Sequence, residues 1–326
     1  MNDHNATLRV EDLSISLHTR GQNVNIVDRI SFIVPEGKVV GLVGESGSGK
    51  SMTALAIMQL LPKSASLAGG CIALNGDDLT RYREHDMQKV RGRDIALIFQ
   101  SSKTALNPLM TVGSQIARVY RRRFGHSRRE AWASAVDMLD RVGISRAQQR
   151  AKHFPHQFSG GMAQRVMIAL AVACKAKLLI ADEPTTGLDV TTEAQILDLL
   201  EELRRAEGSS LLLITHNLGL AAAHCDYIAV MHAGHIVEFG PVREVFHNPT
   251  HPYTQGLLSS VARPDRALLH GTTLTGRAPD PLSLPRVGCR FIHRCPARMP
   301  QCAQPVPLAT VGPEHTSYCH LYEDMV

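Results

Sequence analysis

No apolar run in this 326-residue chain approaches the ~20 residues that a bilayer-crossing helix needs. That absence argues against a membrane span. Met1 to Val10 is polar and lacks a signal-peptide pattern, so the expected compartment is the cytosol. Charge of one sign is not in excess either: 35 Lys and Arg face 30 Asp and Glu, for a net charge of +5. The one basic run, Arg118, Arg121, Arg122, Arg123, Arg128 and Arg129, has no aromatic platform beside it on which bases would stack. It reads as a solvated helical face or a protein contact, and no nucleic-acid partner is expected. No long internal repeat is visible. Composition is that of a globular protein with ample core material, 44% apolar and 20% charged. The length allows two domains, or one large domain with an appendage.

The most informative segment is Gly44-Glu45-Ser46-Gly47-Ser48-Gly49-Lys50-Ser51. It matches G-x-x-x-x-G-K-[ST], the loop that wraps nucleotide phosphates. Glycines let backbone N–H groups approach phosphate oxygens. Lys50 is expected to bridge the β- and γ-phosphates, and the Ser51 hydroxyl to hold Mg²⁺. Lys38 to Val43 reads as a buried strand before the loop and Met52 to Leu61 as a helix after it. That order aims a helix N-terminus at the phosphates.

Along the chain, Leu8 to Leu17 alternates like a half-buried strand, and Ile30 to Val34 ends at the turn Pro35-Glu36-Gly37. Residues from about 103 to 160 lean helical, with helical apolar spacing from Ala131 to Val142. Strands are expected at Leu178 to Ala181, Leu211 to Thr215 and Tyr227 to Met231, with a helix over Thr191 to Arg205. Alternating strands and helices predict an α/β core with a mostly parallel sheet. The helical stretch reads as an insertion. From about Ala262 the chain is rich in Pro, Gly and Arg with little periodicity, and reads as a small, separately stabilised tail.

Leu178-Leu179-Ile180-Ala181-Asp182-Glu183 is an apolar strand ending in two acids. Asp182 can accept from Mg²⁺-bound water, and Glu183 can take a proton from the attacking water. Alone, such a strand end is weakly diagnostic; behind a phosphate loop it becomes the second half of a hydrolytic site.

Phe158-Ser159-Gly160-Gly161-Met162 then identifies the class. Here the chain resembles the ATP-binding cassette (ABC) transporter ATPases, whose signature is usually Leu-Ser-Gly-Gly-Gln. The resemblance implies that Ser159, Gly160 and Gly161 bind the γ-phosphate of ATP held by the phosphate loop of an opposite subunit. It further implies that Gln100, after Ile95 to Phe99, senses Mg²⁺ and water and relays to the membrane subunits. Thr186-Gly187-Leu188-Asp189 resembles the loop that crosses the dimer interface, and His216 the switch histidine on the γ-phosphate. Met162 in place of Gln looks like a known branch. Asn217 stands where Asp commonly follows the histidine, and either can cap the next helix. Ser101-Ser102-Lys103 replaces the usual acidic-Pro pair after Gln100. The implied architecture is an ABC nucleotide-binding domain over residues 1–261. It combines a P-loop core, an N-terminal antiparallel β part and a helical subdomain inserted at about 103–165. A C-terminal tail over 262–326 follows.

Nearly the whole chain resembles the ATPase subunits of oligopeptide and dipeptide importers. The carrying segments are Leu106 to Gly113, His156 to Met162, Glu238 to Pro241 and, most strongly, Asn248-Pro249-Thr250-His251-Pro252-Tyr253-Thr254-Gln255-Gly256-Leu257-Leu258. That last segment has no catalytic chemistry of its own and reads as a dock for the tail on the core. The same branch includes importers of nickel and other small solutes. A soluble ABC ATPase acting on nucleic acid or ribosomes would usually carry long coiled coils or two cassettes, and this chain has neither. The resemblance implies a second ATPase subunit of related but different sequence, because one chain carries one phosphate loop and one signature. It also implies two transmembrane permease subunits, an extracytoplasmic substrate-binding protein, and a peripheral position on the cytoplasmic face of the (inner) membrane.

Cys289-x5-Cys295-x6-Cys302-x16-Cys319 offers four thiolates in a short tail. That is the inventory for tetrahedral zinc or for a 4Fe-4S cluster. Disulfides are disfavoured in a reducing cytosol, and the short spacing typical of zinc sites is absent. Free structural thiols are the third reading, and His293, His315 and His320 are nearby substitute ligands. The cysteine set is similar to one at the C-terminus of peptide-importer ATPases, which implies a 4Fe-4S cluster. Cys71, Cys174 and Cys225 sit in apolar sequence and read as core residues.

Overall fold

The computed structural model describes residues 6–260 and 280–325. The expected boundary between residues 261 and 262 falls outside the described residues. The chain forms two compact units, Met1–Arg81 with Leu213–Val326, and Tyr82–Leu212. The strands are β1 (Ala6–Thr19), β2 (Gln22–Pro35), β3 (Val39–Val43), β4 (Ala65–Leu74), β5 (Asp77–Asp78) and β6 (Ile95–Ile98). They continue with β7 (Leu178–Asp182), β8 (Ser210–Thr215), β9 (Tyr227–His232), β10 (His235–Pro241), β11 (Leu308–Gly312) and β12 (His315–Tyr318). Among the described residues no helix is long and apolar enough to cross a membrane.

The first unit opens with an antiparallel sheet in the order β2-β1-β4-β5. Its hairpin turn is Arg20-Gly21, both at positive φ (49° and 74°), which matches the twist of the flanking strands. Along β1 the buried positions change parity, from Leu8 and Val10 to Leu13 and Ile15, each 0 or 1% exposed. A register shift between Val10 and Leu13, with Asp12 at φ 47°, re-aims the apolar face onto one core. The same unit contains the strand order β11-β12-β10-β9-β3. The β3–β9 pair is parallel, and β9–β10, β10–β12 and β11–β12 are antiparallel. β3 is buried along its whole length, as a central strand must be.

The tail differs from its sequence reading. It is not separately stabilised: its hairpin β11–β12 adds to the sheet through Glu238↔Ser317 and Phe239↔Thr316. Backbone hydrogen bonding to an otherwise open edge needs no apolar periodicity in the added strand, which is why the sequence shows little.

In the second unit β6 and β7 are parallel, Ile95↔Leu178 through Ile98↔Ala181. β8 begins beside β7, where the Ser210 amide donates to the Lys177 carbonyl at 2.8 Å. The helices include Val112–Phe124, Arg128–Arg141, Gly160–Val172 and Val190–Glu207. Ser127 and Glu130 form a reciprocal capping box, and Ala131, Ala135, Met138 and Leu139 are the buried stripe of Arg128–Arg141. The six arginines between 118 and 129 are all exposed.

Candidate nucleotide site

The phosphate-loop segment belongs to the first unit, between β3 and helix Lys50–Ile57. Two glycines are obligatory on steric grounds. A Cβ at Gly44 (φ 154°) would lie 2.0 Å from the Met231 carbonyl oxygen, and one at Gly49 (φ 108°) would lie 2.8 Å from the Met231 Cε. Gly49 is also the N-cap, and no side chain caps the helix. A helix N-terminus without a side-chain cap suits an anion. Lys50, 5% exposed, donates Nζ–H to the Gly44 and Glu45 carbonyls at 2.8 and 3.0 Å and lies 3.5 Å from Ser48 Oγ. The loop thus presents its lysine and its helix start on one rigid turn, a cradle with the shape and charge for phosphates.

Glu45 is held from three sides. Arg294 meets its carboxylate bidentately at 2.7 and 2.9 Å. The Glu45 amide donates to Tyr253 Oη at 3.0 Å. His232 Nδ1 lies 3.8 Å from Glu45 Oε2. The hydrogen bonds from Arg294 hold the Glu45 carboxyl below its ordinary range. Burial, helped by Arg294, pushes the His232 imidazole down to about 3, so it is neutral. Burial likewise brings His251 to about 4, and its Nδ1 accepts from the Tyr253 amide at 3.0 Å. None of these contacts was legible in the sequence. Arg294 stands one place before Cys295, and Tyr253 lies in the segment read as a dock for the tail.

These histidines give a pH prediction. Each is neutral when folded and titrates near its ordinary 6.5 when unfolded, so the unfolded chain binds more protons below that pH. Stability therefore falls on acidification from about 6.5, by up to about 1.4 kcal/mol per pH unit per group. The melting temperature measured from pH 7.5 to 5 should drop, and His232→Gln should flatten the slope. An equal slope in the variant would remove His232 from the account.

His216 also belongs to the first unit. It is exposed directly after β8, and Asn217 caps the next helix, its Oδ1 accepting from the Gly219 and Leu220 amides at 3.0 and 3.2 Å.

The second unit gathers the acidic half. β7 ends at Asp182, and Glu183 follows at φ 45°, a left-handed conformation uncommon for a non-glycine residue. Gln100 Nε2 and Thr186 Oγ1 both donate to Glu183 Oε2 at 2.9 Å. Two donors on one oxygen orient the carboxylate. Sequence reasoning placed Thr186 in the interface loop and not beside Glu183. Ser159 caps helix Gly160–Val172 by accepting from the Met162 amide at 3.4 Å. Asp189 caps Val190–Glu207 through the Thr192 amide at 3.0 Å and the Thr192 hydroxyl at 2.6 Å, which hold its carboxyl below the ordinary range. A Cβ on Gly160 would come only within 3.9 Å of Leu188, and one on Gly161 within 3.4 Å of Thr192. Neither glycine is forced by this unit's own packing.

Cys289, Cys295, Cys302 and Cys319 line one small apolar cavity, with His251 and His320 also at its wall. Burial pushes the Cys289 thiol up to about 12 and raises Cys295 and Cys319. Among the described residues no group of three or more His, Cys, Asp or Glu side chains is arranged to hold a metal ion. The four cysteines of the expected iron–sulfur cluster thus line one cavity but show no metal-ion geometry among the described residues. His315, one expected substitute ligand, is instead bonded to Glu238 at 2.8 Å. Cys174 and Cys225 are buried as expected, while Cys71 is half-buried.

A phosphate-loop cradle and an oriented glutamate at a strand end define a nucleotide-hydrolysing α/β protein. Solved ABC cassettes share the fold. The dimeric, ADP- and Pi-bound cassette MJ0796 matches at TM-score 0.65 with 25% identity, over 72% of this chain and 99% of that one. CbiO1 from Clostridium perfringens, part of a cbiONQ transporter complex, matches at TM-score 0.64 with 25% identity, over 75% and 92%. The ABC transporter family pattern covers residues 27–186, and that of the oligopeptide/dipeptide transporter C-terminal region covers 237–302. The oligopeptide transport ATP-binding protein OppD of Salmonella typhimurium is 44% identical over 97% of this chain and 93% of its own. The dipeptide transport ATP-binding protein DppD of Bacillus subtilis is 45% identical over 97% and 95%. The chain belongs to the ABC transporter ATPase family, in the branch that carries the oligopeptide/dipeptide transporter C-terminal region. ATP and Mg²⁺ are the substrate and metal that this family implies.

Proposed function

We propose that this chain is the ATP-hydrolysing subunit that energises a membrane importer of dipeptides or oligopeptides. The observation that carries the hydrolytic reading is Glu183, held by Gln100 and Thr186 at the end of β7. The peptide class rests on the likeness, over nearly the full chain, to oligopeptide and dipeptide transport ATP-binding proteins.

In this reading the amides and glycines of Gly44 to Ser51 wrap the ATP phosphates, and Lys50 turns its Nζ from the loop carbonyls to the β- and γ-phosphates. Glu183 accepts the proton of the attacking water. His216 contacts the γ-phosphate. Ser51, Gln100 and Asp182 would hold Mg²⁺, which would supply neutralisation of charge on the transferring phosphoryl group. Ser159, Gly160 and Gly161 bind ATP held by a second ATPase subunit, and Asp189 lies at that interface. Glycines that their own unit does not require are what a surface approached by another molecule's phosphate needs. ATP closes the dimer and hydrolysis reopens it. The second ATPase is a related but different chain. Two permease subunits and an extracytoplasmic substrate-binding protein complete the transporter, and this subunit sits peripherally on the cytoplasmic face of the inner membrane.

The test is uptake of labelled di- and oligopeptides by source cells expressing the wild-type chain or Glu183→Gln. Loss of uptake in the variant supports both the importer role and the peptide class. Unaffected peptide uptake moves the substrate to nickel or another small solute, assayed in the same pair of strains.

The cysteine cavity is assigned to a 4Fe-4S cluster held by Cys289, Cys295, Cys302 and Cys319. The support is that all four cysteines line one small apolar cavity. Cys295→Ser is expected to lower the iron content of the purified chain and its melting temperature together. Equal iron and an equal melting temperature would assign the thiols to packing alone.

A further inference from the structure

The segment Cys289-Arg290-Phe291-Ile292-His293-Arg294-Cys295 does more than carry two cysteines. Arg290, 6% exposed, donates to the Ala233 carbonyl at 2.7 Å, the Asn25 carbonyl at 3.3 Å and Asp28 Oδ2 at 3.0 Å. It packs against the turn between β9 and β10 at Gly234, where a Cβ would lie 2.7 Å from Arg290 Nη1. Phe291, 1% exposed, packs its ring 5.2 Å from His232 and 5.4 Å from Tyr253. Arg294 then reaches Glu45 with two hydrogen bonds, and Tyr253 Oη accepts from the Glu45 amide. Three successive anchors therefore fasten this piece of the tail to β9 and to the residue immediately after Gly44.

Glu45 is an electrostatic liability where it stands. A loop that receives a polyphosphate carries a carboxylate one residue past its first glycine, and like charges at short range repel unless one is neutralised. Arg294, with its side chain 10% exposed, is the neutralising group, bound in the bidentate geometry that suits a guanidinium and a carboxylate. We propose that Arg294 and Tyr253 are positioning residues for the nucleotide site: by holding Glu45 and cancelling its charge, the segment between Cys289 and Cys295 sets the affinity of the phosphate loop for ATP. This rests on the reading of Gly44 to Ser51 as the ATP-binding loop.

The experiment is equilibrium binding of ATP to the full-length chain at low and high salt, with KM and kcat for ATP in the assembled transporter. Arg294→Gln should weaken binding about tenfold at low salt, with less loss at high salt because the added repulsion is screened. KM should rise by a similar factor while kcat changes less. Glu45→Gln removes the repelling charge itself and should bind ATP at least as tightly as wild type. The double variant Glu45→Gln/Arg294→Gln should recover most of the affinity lost in Arg294→Gln. That asymmetry separates a positioning role from a packing role, in which breaking the pair from either side would weaken binding alike. Unchanged affinity in Arg294→Gln, or equal losses in both single variants without recovery in the double, overturns the proposal. Should Arg294→Gln fail to fold, the Glu45→Gln arm decides it: affinity below wild type overturns the proposal. If instead the wild-type chain binds no ATP, or Lys50→Ala binds it equally well, the nucleotide-site reading has failed and not the clamp.

Discussion

Glu183→Gln keeps ATP bound and lowers turnover by about 10²- to 10⁴-fold, the range expected when a positioned general base is removed. Glutamine preserves the acceptor oxygen for Gln100 and Thr186, which meet Glu183 Oε2 at 2.9 Å, so the strand end and its left-handed residue should hold their shape. What is lost is the carboxylate oxygen that takes the water's proton. The variant should therefore accumulate in the ATP-bound, closed dimer, visible as a nucleotide-dependent dimer by size-exclusion chromatography. Turnover at the wild-type rate would mean that Glu183 is not the base. Gln100→Ala makes a useful companion, since it leaves the base but removes one of the two donors that orient it.

The largest expected effect on stability lies far from that chemistry in the chain. Glu238 on β10 is fully buried. One carboxylate oxygen accepts from the Thr250 amide, the Thr250 hydroxyl and His315 Nε2 at 2.8 to 2.9 Å, and the other from the His251 amide at 3.0 Å. Burial alone would push this carboxyl up, but the hydrogen bonds, His315 foremost, outweigh it and hold the group below its ordinary range. Glu238→Ala leaves two amides, a hydroxyl and an imidazole without their acceptor. Breaking a buried charged network from one side costs about 3–5 kcal/mol, which for a unit of this size lowers the melting temperature by on the order of 10 °C. Because Glu238 ties the Thr250–His251 turn to β12, loss of the tail hairpin should accompany the drop, measurable as faster amide exchange in Leu308–Gly312 and His315–Tyr318. A melting temperature within 2 °C of wild type would show that the surrounding donors find other acceptors.

Several elements follow from local residues alone. The glycines around Lys50 follow from backbone angle, since Gly44, Gly47 and Gly49 all stand at positive φ. The buried strand β3 reads from five apolar or small residues in a row, and the helix Arg128–Arg141 from its stripe and its capping box. Ser159, Asp189 and Asn217 are helix caps whose partners lie within three residues, so their placement follows from spacing. These are short-range effects, and a linear sequence contains both members of each interaction.

By itself, then, the sequence determined the chemistry-bearing loop, the strand that ends in Asp182 and Glu183, the Ser159 helix start and the α/β class. Only the tertiary structure decided what holds those parts. Gln100 reaches Glu183 across 83 residues, Tyr253 reaches Glu45 across 208, and Arg294 reaches the same glutamate across 249. Nor did the sequence foretell that the tail's hairpin would complete a sheet edge or that Glu238 would anchor it. The physical reason is common to all of these. A polar side chain in an aperiodic segment is specified by its partner and not by its neighbours in the chain, and that partner comes near only once the strands have paired.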